Sequence, residues 1–221
     1  MPTPARTSLD EIVRAGRAIL ETDGVDGLTM QRIASAVGVR APSLYKRIRN
    51  RNDLLRLVAN DAAREMTERL DAAATSGDPP TDLRALASAL RAFAHDYPAA
   101  YGLLFAPLPD DARADPDWSV RGSAPLLDAT RQLAGDDHAL EAARTVTAWA
   151  NGFIAMELAG AFRLGGDIDR AFDYGIDRLT VAISSTGAAP RPRSGSAGGS
   201  RPASAGTSTS GRTHTSGGRR G

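Results

Sequence analysis

Between Leu28 and Asn52 the chain reads LTMQRIASAVGVRAPSLYKRIRNRN, two short amphipathic segments hinged on one glycine. Few folds accommodate that pattern. Thr29 is placed to cap a helix whose apolar positions Ile33, Ala34 and Val37 recur at three- and four-residue spacing. Gly38 then permits the left-handed backbone of a sharp turn, and Val39 plugs that turn into a core. Pro42 suits the start of a second helix, where a missing N–H costs nothing, and Leu44 and Ile48 form its inward seam. Arg40, Ala41, Ser43, Lys46 and Arg47 are left facing outward. The stretch carries Arg32, Arg40, Lys46, Arg47, Arg49 and Arg51 and no acid. A solvated helix face normally mixes both signs for i,i+4 pairing, so a one-signed surface points to a polyanion, and to DNA first. The expected unit is a helix-turn-helix.

The string LTMQRIASAVGVRAPSLYKRIRNRNDLLRLV resembles the DNA-binding region of the TetR family of bacterial transcriptional repressors: a Thr-led helix, Ile-Ala, Gly-Val, Leu-Tyr, and a polar corner before Leu-Leu. Ile48 stands where the family often has an aromatic, and Asn50-Arg51-Asn52 replaces a common Ser-Lys-Glu corner. Asn50 can still cap the next helix, with Asp53 as a carboxylate variant of the capping box. Residues 145–181 also resemble the C-terminal domain of a TetR subgroup marked by Trp and His-Gly. Trp149, Gly152 and the run Phe153 to Gly160 match, and Asn151 stands in the place of the histidine. By this resemblance and by outward direction, Thr29, Arg40, Ala41, Pro42, Ser43, Tyr45, Lys46, Arg47 and Arg51 are the expected DNA-contacting residues. The resemblance implies a ligand-released repressor on a palindromic operator.

Helical periodicity extends along most of the chain, and no segment alternates like a strand. The expected fold is all-α: an N-terminal three-helix helix-turn-helix domain (1–51), a C-terminal helical bundle (52–185), about nine helices in total, and a disordered Gly/Ser/Arg-rich tail (186–221). Ser8 and Glu11 form a capping box that opens a first helix to about Thr22. Asp23 to Gly27 should break it, two glycines taking positive φ. A long helix from Arg51 to about Ala74 follows, and Thr75 to Pro80 is the expected domain boundary. Further helices are expected near 83–97, 99–105, 118–133, 136–161 and 168–184. The tail lacks Leu, Ile, Val and aromatics and cannot offset the entropy of ordering.

Net charge is +1, yet the tail holds six arginines and the helix-turn-helix six cations, so the remaining body is acidic and suited to DNA nowhere else. With no cysteine, disulfides and thiolate metal sites do not arise. His95, His138 and His214 lack metal-ligand spacing, and no phosphate loop or nucleophile elbow is present, so no metal, cofactor or enzymatic activity is expected. The most apolar region, Thr145 to Phe162, is interrupted by Asn151 and Glu157 and reads as a buried helix, so no membrane partner is expected and the location is cytoplasmic.

Two further constellations concern ligand and partner. Phe93, His95, Tyr97, Tyr101, Trp118, Trp149 and Asn151 are the expected lining of an effector pocket for a small, mostly apolar ligand. Aromatics at helical spacing alone favour ordinary packing; the resemblance raises the pocket to even terms. Ala143, Thr147, Ala150, Ile154 and Leu158, with Phe172, Ile176 and Leu179, form stripes suited to a four-helix homodimer interface. Pairing also follows from DNA geometry, since one recognition helix contacts only half a site. The rivals are a helical-bundle carrier or enzyme without sequence-specific DNA binding, and a non-specific architectural DNA binder.

Overall fold

A computed structural model describes residues 8–186; the expected tail lies outside the described residues. Nine α-helices and two short 3-10 turns make up the described part, with no strand among the described residues. The first helix, α1 (Leu9–Gly27), opens on the expected capping box: Ser8 Oγ accepts from Glu11 N (3.1 Å) and Glu11 Oε2 accepts from Ser8 N (2.8 Å). The helical path breaks inside the expected stretch: Gly24, at φ 68° and ψ −170°, leaves helical geometry and a short further turn continues to Gly27, so one of the two glycines takes positive φ and Gly27 does not.

Thr29 caps α2 (Met30–Ala36) by accepting from Arg32 N at 3.3 Å. Gly38 then sits at φ 69°, and Val39 N closes the turn on the Ala34 carbonyl at 2.9 Å. The regular part of α3 (Ala41–Leu44) is one turn long, shorter than expected. Arg47 N and Ile48 N both reach the Leu44 carbonyl (2.8 and 2.9 Å), so the chain tightens into the i→i+3 bonding common at helix ends. Leu44 and Ile48 are fully buried, as the seam requires.

The long α4 (Arg51–Ala73) buries Leu54, Leu55, Val58, Ala59 and Ala62. Asn50 caps it by accepting from Asp53 N (2.9 Å). The Asp53 carboxylate reaches beyond the position a capping box would use and accepts from Arg49 N at 3.0 Å and from the Arg49 and Arg56 guanidinium groups. Hydrogen bonds from Arg49 are the main reason that its pKa falls to about 2. Because the folded value lies below the ordinary 3.8, the stabilisation is complete above about pH 4 and is lost as pH falls toward 2. Asp53→Ala should cost about 1–2 kcal/mol at pH 7, less than the whole shift because Arg49 is largely exposed, and progressively less as pH falls through 2 in acid-dependent denaturation.

Next come α5 (Pro79–Asp96), α6 (Pro98–Phe105), α7 (Pro116–Ala134), α8 (Ala139–Leu158) and α9 (Ile168–Thr186). The 3-10 turns are Asp110–Ala112 and Asp136–His138, the second taking the first residues of the long helix expected from 136. The loop before Pro79 turns α4 back against α5, and the described residues belong to one compact unit in which α1 also packs on α4 and α6.

Candidate nucleic-acid interface and ligand cavity

Arg40 precedes α3 without capping it, and Pro42, Ser43, Tyr45, Lys46 and Arg47 are exposed while Ala41 is half-buried. Among the described residues, no carboxylate pairs with Arg40, Lys46 or Arg47. The other three cations are engaged. Arg32 pairs with Asp23, a carboxylate from the preceding turn. Arg49 pairs with Asp53 at 3.2 Å. Arg51, expected to hold a phosphate, donates from Nε to the Leu28 carbonyl (3.0 Å) and from Nη2 to that of Val25 (2.6 Å). It ties the first turn of α4 to the end of α1, so its structural work comes before any phosphate contact. Thr29 keeps its hydroxyl proton available while its oxygen caps α2. Three uncompensated cations flanking the exposed α3 turn, Arg40 before it and Lys46 and Arg47 after it, with Leu44 and Ile48 buried as anchors, make an anion-facing surface.

In the body, a cavity of about 310 Å³ lies between α4, α5, α7 and α8, with Phe105 of α6 at its side. Met66, Leu70, Leu86, Leu90, Leu126 and Val146 form its apolar wall; Ser119, Ser123, Thr147 and Asn151 are its polar residues. Of the seven expected pocket residues, only Trp118 and Asn151 line it, and Tyr101 reaches its edge by donating to Asn151 Oδ1 at 2.5 Å. Burial pushes the Tyr101 phenol up to about 12, so it is a proton donor at any physiological pH.

The other four expected pocket residues are elsewhere. Phe93 is fully buried against Tyr97 (5.7 Å between rings), and the Arg69 guanidinium covers both. Tyr97 faces a groove between α1 and α4 whose charges include Arg17, Asp61 and Glu65, which pair among themselves. His95 bonds Glu157 at 3.2 Å, beside the Arg91 pairs with Glu157 and Asp169; the Arg91 hydrogen bond chiefly holds the Glu157 carboxyl below its usual range. Trp149 packs on Phe153 and Phe172 at 5.7 and 5.2 Å, locking α8 to α9. Its ring occupies the space beside Gly175, where a Cβ would overlap it. Gly175→Ala should therefore destabilise by about 1–3 kcal/mol, read as a lowered melting temperature.

The expected dimer stripe is largely the protomer's own core. Ala143, Ala150, Ile154, Phe172 and Ile176 are buried within the single chain, Leu179 is half-buried, and Thr147 lines the cavity; Leu158 alone of the eight faces solvent away from it. The opposite face of α8 exposes Thr145, Ala148, Gly152, Ala155 and Met156, and α9 exposes Ala171, Tyr174 and Val181. No helix among the described residues is long and apolar enough to cross a membrane, and no group of His, Asp or Glu there could hold a metal ion.

Short helices that present an exposed cationic turn, joined by α4 to an all-helical body with a cavity, define a helix-turn-helix regulator. Residues 12–58 match the family described as "Bacterial regulatory proteins, tetR family", and residues 83–179 match "Tetracyclin repressor-like, C-terminal domain". The chain belongs to the TetR family of DNA-binding transcriptional regulators. It is 29% identical over 185 residues to an uncharacterized HTH-type transcriptional regulator, Rv0681, of Mycobacterium tuberculosis, covering 81% of this chain and 83% of that one. The crystal structure of SCO4313, assigned as a regulatory protein, is 31% identical with a TM-score of 0.65, covering 77% of this chain and 93% of the other. BioQ, solved with its double-stranded DNA operator, shares the fold at 22% identity and a TM-score of 0.60, over 81% of this chain and 99% of that chain.

Proposed function

We propose that the chain acts as a homodimer on a palindromic operator and is a repressor released by a small molecule held in the α4/α5/α7/α8 cavity. In this reading residues 1–51 contact DNA and 52–185 bind ligand and partner, and the protein works in the cytoplasm, where the DNA is. The observation that carries it is the double role of α4: Met66 and Leu70 wall the cavity, while in the first turn of the same helix Asp53 holds Arg49, and Arg51 holds the Leu28 carbonyl just before α2. No flexible spacer separates the two. A ligand shifts the DNA equilibrium only by its differential affinity for the two arrangements, and α4 is the element both ends share.

Arg40, Lys46 and Arg47, with Ser43 and Ala41, are the groups proposed to approach bases and phosphates, and Thr29, Pro42 and Tyr45 to flank them. The homodimer is supported by the exposed small residues of α8, which permit close helix approach, beside Tyr174 and Val181 of α9. Sedimentation at micromolar concentration tests the dimer: a stable monomer overturns it. An operator recovered from random DNA by selection tests the reader. It should be palindromic, with half-sites about one DNA turn apart, and unrelated DNA should bind at least about a thousandfold more weakly. Equal affinity for both would leave a non-specific binder.

A further inference from the structure

We infer that the cavity selects a neutral, mainly apolar molecule whose one polar head is a hydroxyl or carboxamide, read by the Asn151 side-chain amide. This rests on the cavity reading above and names the chemistry of its occupant. None of the fifteen lining residues carries a charge, and Arg121, whose guanidinium lies over the Trp118 ring at 4.8 Å, is not among them, so an ionised ligand would find no counter-ion in the wall and would lose its hydration. The apolar majority of the wall rewards an aliphatic or aromatic body.

Asn151 is the polar group whose orientation is settled from both sides. Its Nδ2 donates to the Thr147 carbonyl at 2.8 Å, and its Oδ1 accepts from the Tyr101 hydroxyl at 2.5 Å. The Thr147 carbonyl can only accept, which turns the nitrogen toward it, and the almost wholly buried Tyr101 hydroxyl then donates to the oxygen. A carboxamide has two N–H protons and two acceptor lone pairs. One of each is committed, and one of each remains. A head that both donates and accepts satisfies both; an ether or a ketone satisfies only the proton, and leaves the oxygen lone pair unmatched against a mostly apolar wall.

The amide also sits where binding can be felt. Thr147 and Asn151 belong to α8, Trp118 and Ser119 to the first turn of α7, so a head on Asn151 with its body toward Trp118 spans two helices. Of the two tryptophans in the chain, Trp118 lines the cavity and Trp149 does not. That gives an optical reporter at the site.

The test titrates octan-1-ol, octanamide, 1-methoxyheptane and sodium octanoate at pH 8 into the full chain, reading Trp118 emission in a Trp149→Phe background and heat by calorimetry in the wild type. Octanol and octanamide should bind saturably, and the ether and the carboxylate at least about tenfold more weakly. Asn151→Leu should erase the preference of alcohol over ether, and Tyr101→Phe, which frees the amide to turn, should reduce it; circular dichroism melting confirms that both variants fold. Octanoate binding as tightly as octanol, an undiminished preference in Asn151→Leu, or no saturable binding of any neutral probe overturns the inference. Operator release is scored separately. Probes that bind as expected but never affect DNA would overturn the regulatory reading and leave the ligand chemistry standing, whereas release by octanoate alone would do the reverse.

Discussion

Lys46→Ala combined with Arg47→Ala is expected to weaken operator binding roughly a hundredfold or more at moderate salt, while leaving the melting temperature in place. Both side chains are exposed, and neither meets a carboxylate among the described residues, so nothing in the fold depends on them. Each phosphate contact removed makes the slope of log K against log salt shallower by about 0.9, and in a dimer both half-sites lose two, so a change of roughly 3 to 4 is expected. Arg51→Ala makes the contrast. Its guanidinium satisfies the Val25 and Leu28 carbonyls, and losing hydrogen bonds from a charged donor should cost about 1–3 kcal/mol of stability. DNA binding then weakens through a loosened α1–α2 corner, with a smaller change of slope. Arg40→Ala should relax preference at one operator position if the guanidinium reads a guanine. Filter binding across a salt series, beside thermal melts, separates the classes; an unchanged slope in the double variant would remove α3 from the interface.

The reading head was legible because its determinants are local. Gly38 at positive φ, Thr29 as cap and the Leu44/Ile48 seam depend on neighbours within a few residues, and all three stand as read. Counting charge in one window failed for a matching reason. Arg32 and Arg49 are compensated by Asp23 and Asp53, just outside the stretch, and Arg51 by carbonyls, which carry no sequence signature.

The body was legible as helices and misread as surfaces. Periodicity tells which face of a helix turns inward, but not whether it meets its own chain, a second copy or an empty space. The stripe of Ala143, Ala150 and Ile154 is the inward face of α8, packed on its own protomer; the second, small-residue face through Ala148, Gly152 and Ala155 is the unpartnered one. Of the aromatics expected around a ligand, Trp118 lines the cavity and Tyr101 meets its edge, while Phe93, Tyr97 and Trp149 pack in or against the core, where large flat side chains close gaps. A better signal lay in Met66 and Leu70 of α4, on the inward stripe yet only half-buried, and in Ser119 and Ser123 near Pro125 inside α7. Side chains that leave space show as incomplete burial, which no spacing rule reports.

Breaking the bracket between α4 and the start of α7 should silence ligand response without blocking ligand or DNA. Asp115 N donates to Asn60 Oδ1 at 2.7 Å, Asn60 Nδ2 returns to the Asp115 carboxylate at 2.8 Å, and Arg56 donates to the same carboxylate at 3.2 Å. Seven residues before Asn60 on α4, Asp53 ties Arg56 to Arg49 in the connection between α3 and α4, and Asn52 holds Asp111 at 3.0 and 3.1 Å. Trp118, three residues after Asp115, is in the cavity wall. A ligand that displaces Trp118 therefore pulls on the turns of α4 that carry the reader, through bonds with discrete partners. In Asn60→Ala with Asp111→Ala the apparent coupling should fall from about 1–3 kcal/mol, the usual range, toward zero, while cavity affinity and ligand-free operator affinity stay within a few-fold. Reciprocity supplies the check, because operator DNA must then cease to weaken ligand binding as well. Arg64→Ala, which removes exposed pairs with Asp61 and Glu68 on the same helix, is the control and should leave coupling intact. Wild-type release in the double variant would show that the signal travels through the packed interior of α4 and not through this polar bracket.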